Sequence, residues 1–459
     1  MKERIKEELA RIVGQDNLSD KLIDLIAYSY DASSLSGRPD LAVWVESTEQ
    51  VSKLLALADR ERIPVMARGA GTGLCGLSVP ARGGIVMDMA RMNRILEVSI
   101  PDRLVVVQPG VVYAELQKAL ATEGFFFPPD PASGQMCTLG GNVATNAGGL
   151  RAAKYGVTRD YVLGLEVVLA DGSIMRTGTR TIKSSSGLDL TRLFVGSEGT
   201  LGVVTEVTLK ISPLPKEITT AMASFDRLED AGGAVTGLMH SGVIPAVLEL
   251  LDKATISLFR EHSDLDLPEV EAMILLEVHG NTPDDVAFQM ERTAEVFRAC
   301  QVRELKVART EEEAERLWLV RKSIGGLTGK ISPSQAPEDV TVPMSRITDF
   351  LRRSEEISQK HGLLILNYGH AGDGNLHPNV LYDQADPDQV ARMERALTEL
   401  HELAVELKGT LTGEHGIGLT KAAHMHLEHD PVAMRTMRAI KRTLDPHNIL
   451  NPGKMDLDG

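Results

Sequence analysis

The sequence has little cysteine. Its 459 residues include only Cys75, Cys137 and Cys300, and no two of these lie in a Cys-x-x-Cys spacing. Three isolated thiols can neither hold an iron–sulfur cluster nor build a disulfide framework. We therefore expect a protein of a reducing, cytoplasmic compartment. If such a protein moves electrons, a bound organic cofactor has to carry them.

Long apolar runs and an excess of positive charge are also absent. No apolar stretch approaches the roughly 18 residues that a membrane-spanning helix needs. Residues 1–10 have the pattern of a charged amphipathic helix and not of a signal peptide. Lys and Arg total 49 against 64 Asp and Glu, a formal net charge of −15. The short apolar runs predict no transmembrane segment. The negative charge predicts no nucleic-acid partner, because nucleic acids favour basic surfaces.

The length predicts more than one domain. A chain of 459 residues is too long for one compact core, and its 43% hydrophobic and 25% charged residues are ordinary for a globular protein. In the first half, short apolar runs alternate with glycine-rich turns up to Pro213 and Pro215, which mark the best boundary. Strands are predicted at 41–45, 64–67, 84–88, 104–108, 162–170 and 205–211, and a helix at 48–60.

Beyond this boundary, longer helices alternate with strands. This rhythm predicts an α+β domain with a mostly antiparallel sheet. Helices are predicted at about 227–240, 283–299, 310–322, 346–360, 387–407 and 431–443, and strands near 272–278, 338–342, 363–369 and 376–382.

Three glycine-rich segments in the first half predict a nucleotide-cofactor site. Arg68–Gly76 follows a predicted strand, and its glycines let backbone N–H groups converge on a phosphate. No helix opens after its last glycine, which argues against a Rossmann loop and leaves a plain turn as the alternative. Residues 128–149 alternate glycines with amides and hydroxyls, which suits a heteroatom-rich ring such as a flavin. Residues 196–205 lead a third glycine turn into a strand.

Histidines and a glutamate near the C-terminus predict a metal site with a base beside it. His370 and His377 lie in the segment 367–379, and Glu414 and His415 lie between two glycines. Imidazole nitrogens and carboxylate oxygens bind divalent metals, and three protein ligands with open positions are typical of a catalytic site. Each histidine alone is more often a satisfied loop or core residue, and a metal-dependent hydrolase also remains open at this point.

Together these segments resemble the FAD-binding fold of the vanillyl-alcohol oxidase superfamily. Within it they are most similar to FAD-linked 2-hydroxyacid dehydrogenases, the branch of glycolate oxidase flavoprotein subunits and D-lactate dehydrogenases. The likeness covers about residues 38–454 and ends in Asn451–Lys454. It implies an α+β fold: an N-terminal helical segment (1–37), a two-subdomain FAD-binding domain (38–214), and a C-terminal α+β substrate or cap domain (215–455) with a mostly antiparallel sheet, the metal site and a flavin-contacting tail.

The resemblance also implies a role for each matching residue. For one noncovalent FAD, the pyrophosphate would lie on Arg68, Gly69, Ala70, Gly71, Thr72 and Gly73. The isoalloxazine and its linker would lie on Thr138, Gly141, Asn142, Thr145, Asn146, Gly148 and Gly149. The adenine side would contact Glu198, Gly202 and Val203, and Asn451 would reach the flavin. One divalent ion (Zn, Mn or Fe) would be held by His370, His377 and Glu414, with His415 as the base, Arg321 as the clamp for the substrate carboxylate and Asn379 as a substrate contact.

The implied reaction is the oxidation of a small D-2-hydroxy acid, with D-lactate favoured, to the 2-oxo acid. Hydride goes to flavin N5 while the metal assists deprotonation of the hydroxyl. In the segment 329–339, Glu338 precedes Asp339, whereas dicarboxylate-specific relatives place a lysine just before the equivalent aspartate, and this difference favours a monocarboxylate. Cys75 stands where a small hydroxyl residue is expected, and noncovalent FAD remains the expectation.

Two alternatives accompany this interpretation. One is a glycolate oxidase catalytic flavoprotein subunit, and the other is a noncatalytic flavin relay subunit, whose expected sign is loss of the histidines that are present here. Because the sequence has neither an iron–sulfur motif nor a nicotinamide loop, the electrons are expected to pass to a partner, either an iron–sulfur subunit or an electron-transfer flavoprotein. The oligomeric state is open, with a homodimer among the options.

Overall fold

The computed structural model describes residues 1–458 as a mixture of helices and strands. The helices are α1 (Glu3–Val13), α2 (Leu22–Ala27), α3 (Thr48–Glu61), α4 (Tyr113–Ala121), α5 (Leu139–Thr145), α6 (Ala152–Tyr155), α7 (Leu190–Phe194), α8 (Leu228–His240), α9 (Lys253–His262), α10 (Pro283–Ala299), α11 (Glu311–Lys322), α12 (Ile324–Ile331), α13 (Ile347–His361), α14 (Pro387–Glu406), α15 (Met425–Glu428) and α16 (Pro431–Leu444). None of these described helices combines the length and the apolar character that crossing a bilayer requires.

The strands form four sheets. They are β1 (Leu18–Ser19), β2 (Leu41–Trp44), β3 (Val65–Arg68), β4 (Ile85–Asp88), β5 (Ile95–Ser99), β6 (Leu104–Val107), β7 (Phe125–Phe126), β8 (Val162–Val168), β9 (Ile174–Gly178), β10 (Val203–Lys210), β11 (Ser212–Pro213), β12 (Glu217–Phe225), β13 (Val247–Asp252), β14 (Ala272–Gly280), β15 (Glu304–Val307), β16 (Ser334–Pro337), β17 (Val340–Thr341), β18 (Ile365–His370) and β19 (Asn375–Tyr382).

The chain divides into two compact units. The first contains residues 1–148, 156–214 and the chain from Glu414 onward, and the second contains residues 149–155 and 215–413. The chain passes from the first unit into most of the second between Leu214 and Pro215, next to Pro213. The domain limits predicted from the sequence, 38–214 and 215–455, remain a proposal.

The first unit contains one mixed sheet, one five-stranded antiparallel sheet and a two-stranded antiparallel sheet formed by β7 and β11. The mixed sheet has the order β1-β2-β4-β3, in which β2, β4 and β3 are parallel. Its parallel strands are nearly continuous apolar runs, as expected for strands that are covered on both faces. The antiparallel sheet has the order β5-β6-β10-β8-β9. The glycine-rich segments lie at strand ends: Arg68 ends β3, and residues 196–202 lead into β10.

The second unit is built on an antiparallel sheet of the order β15-β12-β14-β13-β18-β19-β16, with β17 also paired to β19. Because side chains alternate along a strand, its two faces have different compositions. One face is apolar and packs against α8, α10, α13 and α14 in the main core. The other face is covered by residues of α9, α11 and α12. The strand register lines up one row on this second face, formed by Met222, Leu275, Glu249, His370 and Asn375.

The predicted helices of the second half are confirmed to within two residues at each end, and the prediction of a mostly antiparallel sheet is also confirmed. The sequence analysis did not predict β12, β13, α9 or α12. The segment of α12 contains Gly325, Gly326 and Gly329, which disfavour a helix. It is helical here because Ile324 and Leu327 are buried in the cluster on the second face, so that packing outweighs propensity.

The turn between β18 and β19 requires glycine. Gly374 has a φ of +84°, and a Cβ at this position would overlap the carbonyl oxygen of Val342. Gly242 offers a matched control, because its φ is +87° and no described atom lies within 4 Å of the position of a Cβ.

We expect Gly374→Ala to lower the free energy of unfolding by about 2 kcal/mol more than Gly242→Ala does. Both variants acquire left-handed strain of about 1 kcal/mol, and only the first also overpacks against backbone. Urea unfolding followed by circular dichroism measures the difference. Equal losses in the two variants would show that the turn does not depend on this close approach.

Candidate active site

The three glycine-rich segments line one cavity of the first unit. Its volume is about 450 Å³, within the range of small-molecule sites. The predicted cofactor-binding residues that line it are Arg68, Gly69, Ala70, Gly71, Thr72, Gly73, Thr138, Gly141, Asn142, Thr145, Gly148, Glu198, Gly202, Val203 and Asn451.

Two residues predicted to contact the cofactor do not line this cavity. Asn146 ends α5 in the left-handed region, and its Oδ1 accepts a hydrogen bond from the backbone N–H of Arg159. Gly149 belongs to the second unit. The sequence analysis in turn missed Met89, Pro109, Cys137 and Phe194 as lining residues. Met89, Pro109 and Phe194 lie outside the predicted segments and carried no signal, because long-range folding brings them to the cavity, whereas Cys137 lies within the segment 128–149.

The Arg68 side chain braces the first glycine-rich loop from inside. Its Nη1 donates hydrogen bonds to the carbonyl oxygens of Tyr30 (2.9 Å) and Ser78 (3.0 Å). A Cβ on Gly71 would overlap the guanidinium, and a Cβ on Gly69 would overlap the hydroxyl of Thr138. The glycines therefore allow the loop to close over a buried arginine, and the guanidinium joins the loop to the neighbouring backbone at Tyr30 and Ser78.

Asn142 provides a test of whether the cavity fits FAD. Its side chain is 4% exposed, and among the described residues its Nδ2 has no hydrogen-bond partner. A buried amide donor without an acceptor is costly, so a ligand that offers an acceptor at this point would stabilise the site. The carbonyl oxygens and ring nitrogens of a flavin are such acceptors. The residues present therefore fit FAD.

Glu198 and Asn451 fix the loop that follows Glu414 and His415. The carboxylate of Glu198 accepts hydrogen bonds from the backbone N–H groups of Ile417 (2.6 Å) and Gly418 (2.9 Å). Asn451 Nδ2 in turn donates to the carbonyl oxygen of Glu198 at 2.7 Å. Burial raises the pKa of Glu198 to about 7. The residue expected on the adenine side therefore uses its carboxylate to hold this loop.

Glu414 and His415 also line the cavity of the first unit. Glu414 Oε1 lies 3.7 Å from His415 Nε2. A Cβ on Gly148 would come within 2.9 Å of Glu414 Oε2, so glycine at 148 gives the glutamate its room. The predicted base and one predicted metal ligand thus lie at the predicted flavin cavity.

His370 and His377 face each other in the second unit. Both are buried, and their Nε2 atoms lie 3.3 Å apart. Two nitrogen ligands of a tetrahedral zinc ion would be separated by about 3.3 Å. His370 Nδ1 bonds to the carboxylate of Glu249, which places the proton on Nδ1 and leaves the Nε2 lone pair toward His377. This donor pair fits a divalent metal.

Arg321 lies on α11 beside the same carboxylate. Its Nε donates to Glu249 Oε2 at 2.5 Å, and its guanidinium carbon lies 5.3 Å from the centre of the Tyr368 ring. Glu249 is fully buried. Burial alone would raise the pKa of Glu249, but its interactions with His370 and Arg321 outweigh burial and hold that pKa well below its usual value. The sequence analysis missed Glu249, although a single acid inside the apolar run 247–251 was a usable signal.

Asn379 lies on the same face of the sheet, on β19. Its Nδ2 donates to Gln335 Oε1 at 2.9 Å. Its Oδ1 is buried and has no hydrogen-bond partner among the described residues. An acceptor is therefore available for a donor on a ligand, which suits the predicted substrate contact.

Comparison with known proteins identifies the class. Residues 39–178 match the family described as FAD binding domain, and residues 214–455 match FAD linked oxidases, C-terminal domain. The chain therefore belongs to the FAD-linked oxidases, and it is an FAD-dependent oxidoreductase. The family, the cofactor and the enzyme class predicted from the sequence are confirmed.

Particular relatives narrow the position within this class. The chain is 40% identical to the glycolate oxidase subunit GlcD of Bacillus subtilis, over 98% of this chain and 96% of the relative. It is 36% identical to a D-lactate dehydrogenase of Archaeoglobus fulgidus, over 98% of both chains. A solved structure of p-cresol methylhydroxylase with substrate bound superposes with a TM-score of 0.83 at 18% identity, covering 98% of this chain and 96% of that one. The fold is that of the vanillyl-alcohol oxidase family.

We expect Asn142→Leu to weaken FAD binding about tenfold, because a similar-sized side chain removes the buried donor. Flavin absorption per polypeptide after dialysis, followed by FAD titration of the stripped protein, measures the change. Asn379→Leu in the second unit is the matched control and should keep its flavin. Unchanged affinity in Asn142→Leu would contradict a flavin contact at this amide.

We expect Glu198→Ala to expose the amides of Ile417 and Gly418 to exchange and to lower the free energy of unfolding by about 2–4 kcal/mol, because two buried donors lose their acceptor. Hydrogen exchange by mass spectrometry over residues 413–420 and urea unfolding measure both effects. Glu206→Ala removes an ion pair with Arg176 on the surface side of β10 and should cost under about 1 kcal/mol. Native protection in Glu198→Ala would refute the bracing role.

Proposed function

We propose that the protein oxidises a small D-2-hydroxy acid, D-lactate in the first place, to the corresponding 2-oxo acid. The observation that carries the proposal is the grouping of His370, His377 and Asn379 on one face of the second unit's sheet, where Glu249 bonds both His370 and Arg321 of α11. The names of the relatives, glycolate oxidase subunit and D-lactate dehydrogenase, support the same substrate class.

Each residue has a defined task in this reaction. Arg321 binds the substrate carboxylate through its guanidinium, whose planar donors match the two carboxylate oxygens. Asn379 orients the substrate through its buried amide. His370, His377 and Glu414 would hold one divalent ion, Zn, Mn or Fe. His415 takes the proton of the substrate hydroxyl on a ring nitrogen.

The hydrogens and electrons balance over these groups. When bound, FAD supplies the acceptor for the Cα hydride at N5, and the cation supplies a Lewis acid that favours the alkoxide. His415 would remove one proton from the substrate hydroxyl, and with FAD bound to accept the Cα hydride the product would be the 2-oxo acid. The first unit provides the cofactor cavity and the base, and the second provides recognition of the carboxylate.

Electrons must then leave through another protein. The sequence contains no Cys-x-x-Cys pair and no nicotinamide loop, and one relative is named as a subunit. We propose an iron–sulfur subunit or an electron-transfer flavoprotein as the acceptor, with a homodimer as a further level of assembly. The scarcity of cysteine supports a cytoplasmic location.

Glycolate is the second candidate substrate. It differs from D-lactate only in lacking the methyl group on Cα, so the carboxylate clamp, the metal ligands and the base would act in the same way. The relative with 40% identity is a glycolate oxidase subunit, which favours glycolate specifically.

Anaerobic bleaching of the flavin tests the function. D-Lactate or glycolate should reduce the flavin fully, while L-lactate and D-2-hydroxyglutarate should react more slowly. His415→Ala should remain yellow and lose about 10²–10⁴ in reduction rate, the usual contribution of a general base. His262→Ala, at an exposed site, is the control and should keep the full rate. Bleaching at the full rate in His415→Ala would remove His415 from the role of base, and a flavin that no 2-hydroxy acid reduces would refute the proposed function.

A further inference from the structure

We propose that Glu249 is a positioning residue that joins carboxylate recognition to the histidine pair. One buried carboxylate holds Arg321 and His370 in the orientations that their roles require. The inference rests on the proposed function, because it takes Arg321 as the carboxylate clamp and His370 as a metal ligand.

Each oxygen of Glu249 has one of these partners. Oε2 accepts from Arg321 Nε at 2.5 Å, and Oε1 accepts from His370 Nδ1. The carboxylate is inaccessible to solvent, and the backbone of Glu249 is paired directly with that of His370 across β13 and β18. A fully buried side chain with both oxygens engaged cannot turn away without leaving a donor unsatisfied. Glu249 is therefore a fixed point between the two groups.

For Arg321, the bond to Glu249 decides which edge of the guanidinium meets a ligand. A guanidinium binds a carboxylate bidentately either through Nε and one terminal nitrogen or through both terminal nitrogens. Glu249 occupies Nε. A bidentate substrate must therefore use the two terminal nitrogens. The ring of Tyr368 beneath the guanidinium also fixes its plane.

For His370, the same carboxylate selects the tautomer. Donation from Nδ1 to Glu249 puts the lone pair on Nε2, the atom that faces His377 Nε2 at 3.3 Å. Carboxylates in this position orient metal-binding histidines and strengthen them as ligands. Glu249 therefore holds the metal ligand in its binding form even before a metal arrives.

Only a glutamate satisfies both partners. Both are N–H donors, so glutamine, with one carbonyl oxygen and one NH2, would accept from one partner and turn an N–H toward the other. Aspartate keeps both oxygens and the charge but is one methylene shorter. The two substitutions separate the need for two acceptors from the need for reach.

Glu277 provides a matched control. It lies on the neighbouring strand β14, and its carboxylate accepts hydrogen bonds from Trp318 Nε1 (2.6 Å) and Thr220 Oγ1 (3.0 Å). Trp318 belongs to α11, the helix that carries Arg321. Glu277→Gln thus perturbs the docking of the same helix through a different residue.

The experiment measures metal binding and carboxylate binding separately, on purified, flavin-containing protein that a chelator has stripped of metal. Binding of Zn²⁺ alone, by competition with a chromophoric chelator, reports on His370. Binding of pyruvate alone to the metal-free protein, by calorimetry, reports on Arg321. We expect Glu249→Gln to weaken both about tenfold or more, and Glu277→Gln to change neither by more than about threefold. In an Arg321→Met background, adding Glu249→Gln should weaken pyruvate binding no further, because the interaction of Arg321 with the carboxylate is already lost.

The outcomes are distinct. If Glu249→Gln alters the affinity for only one of Zn²⁺ and pyruvate, or if Glu277→Gln gives the same losses, Glu249 does not couple Arg321 to His370. If Glu249→Gln fails to fold, Glu249→Asp decides, and native binding of both probes in that variant would overturn the inference. A wild-type flavin that D-lactate or glycolate reduces, together with native affinities in Glu249→Gln, overturns the role of Glu249 alone. A wild-type protein that binds neither probe overturns it as well, whereas a flavin that no 2-hydroxy acid reduces overturns the proposed function.

Discussion

The antiparallel pairing of β12, β14, β13, β18 and β19 determines where the chemistry of the second unit lies. Alternation along each strand sends one set of apolar side chains to the main core and places the polar groups, among other apolar residues, on the opposite face. A shift of one residue in β18 would turn His370 toward the apolar core and bring Gly369 or Ala371 into its place. The core packing therefore protects the site: the register that buries Leu250 and Ile274 on one face is the register that sets Glu249 beside His370 on the other.

The polar face also has to be kept dry without leaving charges unpaired. An isolated carboxylate or guanidinium at this depth would be costly, because burial removes its hydration and nothing replaces it. Glu249 and Arg321 compensate each other, and the hydrogen bond to His370 satisfies the remaining oxygen. Helices α9, α11 and α12 then cover the face with apolar residues such as Ile324 and Phe259. Because Arg321 lies on α11, its ion pair with Glu249 also holds this covering helix against the sheet.

Most residues predicted to contact the cofactor line one cavity of the first unit, because their signals in the sequence are local. Glycines at 69 and 71 and the amide of Asn142 are visible as a pattern, and the structure shows why each is needed. The long helices were predictable for a similar reason, since their apolar periodicity is strong. The missed elements are those in which tertiary contacts outweigh local preference. The glycine-rich α12 is one, and the strand β13, which runs directly into α9 at Asp252, is another. Glu249 was missed because the residues it bonds, Arg321 and His370, lie 72 and 121 residues away in the sequence.

Glu198 and Glu249 show two ways in which a buried acid can serve a site without reacting. Glu198 accepts from backbone amides, and burial dominates, so the pKa of its carboxyl rises to about 7. Glu249 faces Arg321 and His370, and its interactions with them dominate, so the pKa of its carboxyl falls. Both acids offer one carboxylate oxygen to each of two N–H donors, which the ionised form does best. They differ in their partners, which are two backbone amides for Glu198 and two side chains for Glu249. The same residue type therefore supports a backbone in one unit and orients side chains in the other.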